Sequence, residues 1–132
     1  MGNYLTLQAL LNFGLYFGIG IALLVCFTRL YIFVTPYNEI SDIRAGNVAP
    51  ALSLVGAMLG FSFPLLSLSL HAVNIADFLV WGCVSGAVQL AVFKVLYMIL
   101  PRQVEANNVA AGTLYFGCAV VTGLLNAFSL IP

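Results

Sequence analysis

The chain has 132 residues, of which 63% are hydrophobic and only 6% are charged. A soluble globular domain has about 25% charged residues, so this sequence has too few polar side chains to cover a water-facing surface. Four basic and four acidic side chains, with no charge run, also exclude a basic nucleic-acid-binding surface. The composition predicts an integral membrane protein whose surroundings are the lipid bilayer, with no nucleic-acid partner.

Four apolar segments reach the roughly 20 residues that a transmembrane helix needs. They span about 9–34, 49–70, 75–100 and 109–131. The first has no basic residue before its apolar core, and that core exceeds the roughly 7–15 residues of a signal peptide, so we expect it to remain a span. An open sheet would leave unpaired backbone groups in lipid. We therefore predict an all-α membrane protein with four transmembrane helices.

The first helix is expected to end at Pro36, because proline lacks a backbone N–H. Arg29 precedes this proline by seven residues, which places it about 10 Å inside the helix end. Two roles are open for Arg29: its side chain extends to the lipid headgroups, or it faces a hydrated space within the protein. The loop that follows carries Glu39, Asp42 and Arg44, and it is the only sizeable polar segment of the chain.

The second helix is expected to begin after Asn47, a favourable N-cap residue. Pro64 within this helix predicts a kink, which serves either the structure alone or a hinge. His71 marks the exit on the opposite side of the membrane, and it has no ligand partners at metal-binding spacing, so no zinc site is expected. Asn74 and Asp77 resemble a capping box at the start of the third helix, and we favour this structural role for Asp77 over a proton relay.

Gln89 is the one amide well inside a predicted span. An amide that faces lipid is costly, so Gln89 should face protein or water, either as an interhelical hydrogen-bonding group or as a pore or ligand contact. Lys94 precedes Pro101 by seven residues. Asn108 is predicted to cap the fourth helix, and Asn126 lies near the far end of that helix.

The two halves of the chain are similar to each other and predict an internal repeat. In both halves a basic residue, Arg29 or Lys94, stands seven positions before a proline, and a capping asparagine and a glycine follow in the same order. We therefore predict two helix-pair units, residues 1–72 and 73–132, that together form one membrane domain. Since each unit crosses the membrane twice, the repeat is parallel rather than inverted.

The basic residues predict the orientation of the chain. All four lie at or beside the loops 35–48 and 101–108, and none lies near the termini; they are Arg29, Arg44, Lys94 and Arg102. The positive-inside rule places these two loops in the cytoplasm and both termini in the periplasm. His71 and Asp77 are then polar residues of the periplasmic side.

Several spaced motifs are similar to those of a known family. They include Thr35-Pro-Tyr-Asn-Glu, Leu59-Gly-Phe-Ser-Phe-Pro-Leu, Ala72-Val-Asn-Ile-Ala-Asp and Asn108-Val-Ala-Ala-Gly. On these motifs the chain resembles, over essentially its whole length, the YjfL-like bacterial inner-membrane proteins of the domain-of-unknown-function 350 family. The resemblance implies two copies of a two-helix unit in a bacterial inner membrane, and gene neighbours that often include phage-shock-type membrane-stress proteins. The family's recurrent residues are here Pro36, Glu39, Asn47, Gly60, Pro64, Asp77, Gln89 and Asn108.

An enzyme is not expected, because the sequence has no Cys/His pair, phosphate loop, metal-ligand cluster or close carboxylate pair within a span. The family resemblance carries no catalytic residues, and no cofactor is assigned. The leading hypothesis is a homo-oligomeric small channel or conduit linked to membrane stress. Its candidate pore or interhelical polar residues are Gln89, Arg29, Lys94 and Asn126.

The alternative hypothesis is a structural or binding protein that docks a cytoplasmic stress-response partner, of the phage-shock type, through the loop 37–46. This loop is the polar surface that the sequence offers to such a partner. The candidate loop, cap and partner-contact residues are Pro36, Glu39, Asp42, Arg44, Asn47 and Asn108.

Overall fold

The structure is a computed structural model that describes residues 6–132. It contains five α-helices: α1 (Leu7–Val34), α2 (Glu39–Arg44), α3 (Val48–His71), α4 (Ile75–Ile99) and α5 (Val109–Ser129). All except α2 are long and apolar enough to cross a membrane. The predicted all-α fold with four spans is confirmed, and each helix end lies within two residues of its predicted position.

The short helix α2 lies within residues 37–46, for which the sequence predicts a loop. Asn38 caps this helix by accepting a hydrogen bond from the Ser41 backbone N–H at 3.1 Å. Acidic residues in its first turn favour the same structure. Gly46 follows the helix with a φ of +86°, a left-handed conformation that favours glycine, and it turns the chain into α3.

The caps of the long helices agree only in part with the sequence analysis. Asn74 accepts a hydrogen bond from the Asp77 backbone N–H at 2.8 Å, and Asn108 accepts one from Ala111 at 3.3 Å, as expected for N-caps. Asn47 occupies the N-cap position of α3 without a capping side-chain bond. The Ala49 N–H instead donates to Asn107 Oδ1 at 3.0 Å, so the connection before α5 caps α3.

Helices α3 and α5 run parallel and pack more closely than any other pair. The contact begins where Gly112 meets Ala49, and a Cβ on this glycine would lie 2.8 Å from the Ala49 Cα. It continues along both helices to Gly60, where a Cβ would lie 2.4 Å from the Ala119 carbonyl oxygen. Glycine at these positions lets two helix backbones touch without intervening side chains, as is common between membrane helices.

Pro64 is buried inside α3, one turn beyond Gly60, and the helix continues through it. Proline cannot donate to the carbonyl four residues earlier, so the Gly60 carbonyl has no helical N–H partner. A Cβ on Gly123 would lie only 2.0 Å from that oxygen. The Gly123 Cα–H therefore points at the freed carbonyl, as in the weak Cα–H···O contacts of helix interfaces. A hinge at Pro64 stays a prediction.

Helix α4 packs against the bundle through one buried face. Helix α1 covers the bundle only in part. The buried α4 residues Gly82 and Gly86 pack against side chains of α1 and α3. Within α1 only Phe27 and Tyr31 are fully buried, so this helix attaches through its second half. The parallel α3 and α5 are what a tandem repeat requires, but the division into 1–72 and 73–132 stays a prediction.

The close approach of α3 and α5 predicts that Gly123→Ala lowers the free energy of unfolding by about 1–3 kcal/mol, because the added methyl group forces the backbones apart. Unfolding by detergent titration of the purified protein measures this loss. The control is Gly117→Ala in the same helix, where a Cβ would meet nothing within 4 Å. Equal stability of the two variants would contradict the packing described above.

Candidate functional site

A cluster of hydroxyl groups lies inside the bundle near α2. The Tyr31 hydroxyl of α1 and the Ser53 hydroxyl of α3 hydrogen bond to each other, and both residues are buried. Thr35 is buried one turn beyond Tyr31, and its hydroxyl donates to the Ile32 carbonyl at 2.9 Å. The Tyr37 hydroxyl is also buried and has no hydrogen-bond partner among residues 6–132. Polar groups of α1, its C-terminal turn and α3 thus meet in an apolar core.

Glu39, the first residue of α2, is 0% exposed. Neither carboxylate oxygen has a hydrogen-bond partner within the described part of the chain. Burial raises the pKa of this carboxyl above its ordinary value of 4.5, and the nearby Asp42 charge acts in the same direction. The neighbouring Thr35 hydroxyl opposes the rise in pKa, but its proton already serves the Ile32 carbonyl. Glu39 was predicted as a partner contact; its side chain instead faces the interior.

Aromatic rings surround these polar groups, with Phe93 of α4 at the centre. Its ring lies 5.1 Å from that of Tyr31, 6.5 Å from Tyr37, 5.8 Å from Tyr97 and 5.7 Å from Tyr115, measured between centroids. Aromatic pairs at such distances add to the stability of a core. Each tyrosine brings an apolar ring and a hydroxyl, so this end of the bundle is both tightly packed and polar.

Gln89 lies one layer deeper in the bundle and is 2% exposed. Neither its amide nitrogen nor its oxygen has a hydrogen-bond partner among residues 6–132. It lines a cavity of about 10 Å³ together with Tyr31, Ser53 and Tyr115. The cavity therefore joins Gln89 to the hydroxyl cluster. The expectation that Gln89 faces away from lipid agrees with this position.

A second polar pair continues the series toward the His71 end of the bundle. Ser85 lies one turn from Gln89 on the same buried face of α4. Its hydroxyl donates to Asn126 Oδ1 at 3.4 Å, and the Asn126 amide donates to the Ser85 carbonyl at 3.4 Å. The side chain of Ser67 donates to the carbonyl of Ala127 at 2.9 Å. Polar groups of α3, α4 and α5 thus lie beyond Gln89.

The series ends in an open pocket of about 340 Å³ at the His71 end. His71 and Asp77 line this pocket with Trp81 and the last residues of the chain. The His71 Nδ1–H donates to the Ser67 carbonyl at 2.9 Å, which connects the pocket to the interior polar groups. Asp77 accepts a hydrogen bond from the Val73 N–H at 3.1 Å, in agreement with its expected structural role.

We call these residues the polar line. They are buried or partly buried except for His71 at the mouth, and they extend from the α2 end to the His71 end in the order Glu39, Tyr37, Tyr31, Ser53, Gln89, Ser85, Asn126, Ser67 and His71. The sequence predicts Glu39, Gln89, Asn126 and His71 as separate candidate residues. The tyrosines and serines give no such signal in the sequence, because a single hydroxyl group also occurs in apolar helices that face lipid.

The other candidate residues lie outside the polar line. Arg29 and Lys94 are exposed on the outer surface of the chain, so within one bundle they do not face the space that Gln89 lines. Pro36, Arg44 and Asn108 are also exposed, whereas Asp42 and Asn47 are half-buried. No group of three or more His, Cys, Asp or Glu side chains within 6–132 is placed to hold a metal ion.

Residues 4–130 match the family described as Domain of Unknown Function (DUF350). The chain belongs to this family. It is 36% identical over 124 residues to the UPF0719 inner membrane protein YjfL of Escherichia coli K12, covering 92% of this chain and 94% of the relative. It is also 26% identical over 117 residues to the UPF0719 transmembrane protein YshE of Bacillus subtilis 168, covering 84% and 87%. No solved structure matches the chain.

The Tyr31–Ser53 pair predicts a measurable coupling between α1 and α3. Tyr31→Phe and Ser53→Ala should each lower the free energy of unfolding by about 0.5–1.5 kcal/mol, and the double variant should lose less than the sum, because both remove one hydrogen bond. Detergent unfolding of the four proteins in the cycle measures the coupling. Tyr16→Phe in the same helix is the control. Additive losses would show that the hydroxyl groups do not interact.

Proposed function

We propose that this protein is a proton conduit of the bacterial inner membrane and that protons pass along the polar line inside a single bundle. The observation that carries the proposal is the burial of Glu39 and Gln89, whose polar side-chain atoms lack hydrogen-bond partners among residues 6–132. Buried polar groups without partners are costly, and those inside a membrane span, such as Gln89, commonly mark ion or proton pathways. The inner-membrane location follows from the family and from the four apolar helices.

The size of the interior favours protons over larger ions. The cavity beside Gln89 has about 10 Å³ of space, which matches about one water molecule. A metal ion that passed here would have to lose nearly its whole hydration shell to a few hydroxyl groups, whereas a proton moves between neighbouring oxygens. A narrow series of hydroxyl groups and single waters is therefore suited to proton transfer.

The chemistry of the side chains supports stepwise transfer. A tyrosine or serine hydroxyl both donates and accepts, so it can pass a proton onward and then rotate back. The amide of Gln89 does not titrate, but its two unpartnered atoms can orient a water in the adjoining cavity, which Tyr31 and Ser53 also line. Ser85 is about 6 Å further along α4, one helical turn away. Glu39 and His71 are the titratable groups at the two ends.

This path differs from the predicted oligomeric pore. A pore shared between copies would be lined by residues on the outside of each chain, and Gln89 is buried within one chain. The exposed side chains of Arg29 and Lys94 are suited to reaching the lipid headgroups. A homo-oligomer is compatible with the proposal if each copy holds its own path. The cytoplasmic position of α2 and the link to membrane stress stay predictions.

Partner docking is a second candidate, and the exposed side of α2 favours it. Ile40 and Ile43 are 44% and 36% exposed, and Arg44 is exposed beside them. A phage-shock-type protein is the predicted partner. If docking occurs here, replacing both isoleucines by serine should abolish its recovery with the purified protein, whereas Val73→Ser at the other end should not. Unchanged recovery from the double variant would contradict docking through α2.

The conduit predicts that Gln89→Leu lowers proton flux about tenfold or more, equivalent to about 1.4 kcal/mol on the transfer barrier, because leucine cannot orient a water. Flux is measured with a pH-sensitive dye inside phosphatidylethanolamine–phosphatidylglycerol vesicles under a potassium-diffusion potential. Gln8→Leu, on the exposed face of α1, is the matched control and should keep the wild-type rate. Wild-type flux no greater than that of protein-free vesicles would contradict the proposal, as would unchanged flux in Gln89→Leu.

A further inference from the structure

The burial of Glu39 has a consequence for the short helix that carries it. Glu39 is the only fully buried residue of α2. The apolar residues of this helix are instead partly exposed, with Ile40 at 44% and Ile43 at 36%. A surface helix ordinarily attaches to its protein through its apolar side chains. Here the most deeply buried side chain of the helix carries a carboxyl group.

We infer that the Glu39 carboxyl is a proton-binding site that holds α2 against the bundle when it is neutral and releases α2 when it is ionised. The inference deepens the proposed conduit, because it assigns a proton-controlled gate to the α2 end of the polar line. The attachment of α2 itself does not require that the protein conducts.

The Thr35 hydroxyl and the backbone N–H of Glu39 favour a negative charge on the carboxyl, but the effect of burial on its pKa is larger. The other groups that face Glu39 do not stabilise the charge. Tyr31 of α1 and Tyr37 of the turn before α2 are neutral hydroxyl groups, and Asp42 of α2 carries the same charge as an ionised Glu39. Helix α3, which packs against α2, has no titratable residue before His71 at its far end. The basic residue of α2, Arg44, is exposed to the outside. The surroundings therefore favour the protonated form.

An ionised carboxylate in this position is unfavourable, because burial removes its hydration and no opposite charge replaces it. The pKa of Glu39 is raised by burial, so the docked state binds the proton more tightly than the released state does. The stability of the docked state is therefore complete below the ordinary glutamate pKa. It declines as the pH rises toward and through the pKa of the docked state.

The segment around α2 has boundaries that suit such a movement. Pro36 precedes the helix, where the chain has left the hydrogen-bonding pattern of α1. Gly46 follows it in a left-handed turn. Rotation at these two boundaries would carry Glu39 from the bundle into water without unfolding α1 or α3. The neighbouring end of the polar line, at Tyr37 and Tyr31, would then be hydrated.

Hydrogen exchange of the protein in lipid nanodiscs tests the release of α2. Wild type and Glu39→Gln are compared at matched pH, so that the intrinsic pH dependence of amide exchange cancels. At mildly acidic pH residues 38–47 should exchange equally in both proteins. At alkaline pH they should exchange about tenfold or more faster in wild type, which corresponds to a loss of about 1.4 kcal/mol or more. Residues 109–129 serve as the internal reference, and Asp42→Asn should retain release at alkaline pH.

Equal exchange of residues 38–47 in wild type and Glu39→Gln at every pH would overturn the inference.

A second experiment uses the wild-type chain alone, so it applies even if Glu39→Gln does not fold. Dicyclohexylcarbodiimide, which modifies protonated carboxyl groups in apolar surroundings, should label Glu39 near neutral pH at least about tenfold more than Asp42, because Glu39 is buried with a raised pKa and Asp42 is only half-buried. Carbon-13 NMR of labelled glutamate that finds Glu39 ionised at that pH would overturn the inference. Neither readout requires proton flux, so failure of the gate and failure of the conduit are distinguishable.

Discussion

The structure depends on the backbone contact between α3 and α5. Pro64 leaves the Gly60 carbonyl without its helical donor, and Gly123 presents a Cα–H to that oxygen at the closest point of the two helices. In lipid, apolar side chains gain little by leaving their solvent, so close packing and weak polar contacts must hold helices together. The parallel pair forms the centre on which α4 packs through one buried face and α1 packs through its second half.

The same close packing limits what the buried polar groups can bind. Because α3, α4 and α5 leave almost no free volume between them, Gln89 has room for about one water and for no larger ligand in the cavity it lines. Burial of Glu39 beside Tyr31 and Tyr37 raises the pKa of its carboxyl group. The proposed proton path and the proposed gate therefore follow from one property of the bundle, a series of polar groups confined in a narrow interior.

The sequence predicted the four spans closely, because long apolar segments bounded by proline and asparagine define transmembrane helices almost alone. It also predicted that Gln89 avoids lipid, since the cost of an exposed amide depends on little else. The sequence predicted Glu39 as a partner contact on the surface, but its side chain is buried. A carboxylate in a polar loop is normally solvated, and the tertiary contacts that bury this one are not visible in the sequence. Helix α2 was not predicted, because its six residues are too few to show a helical pattern of apolar side chains. The capping of α3 by Asn107 joins residues distant in sequence, which local patterns do not reveal.

The central claim is that each chain contains its own proton path. Wild-type and Gln89→Leu chains, reconstituted together in known ratios at constant total protein, test it most directly through the proton flux of the mixed vesicles. The account predicts that flux falls in direct proportion to the fraction of variant chains, because each wild-type bundle conducts independently. A much steeper fall at small variant fractions would show a pore shared among copies and would contradict the account.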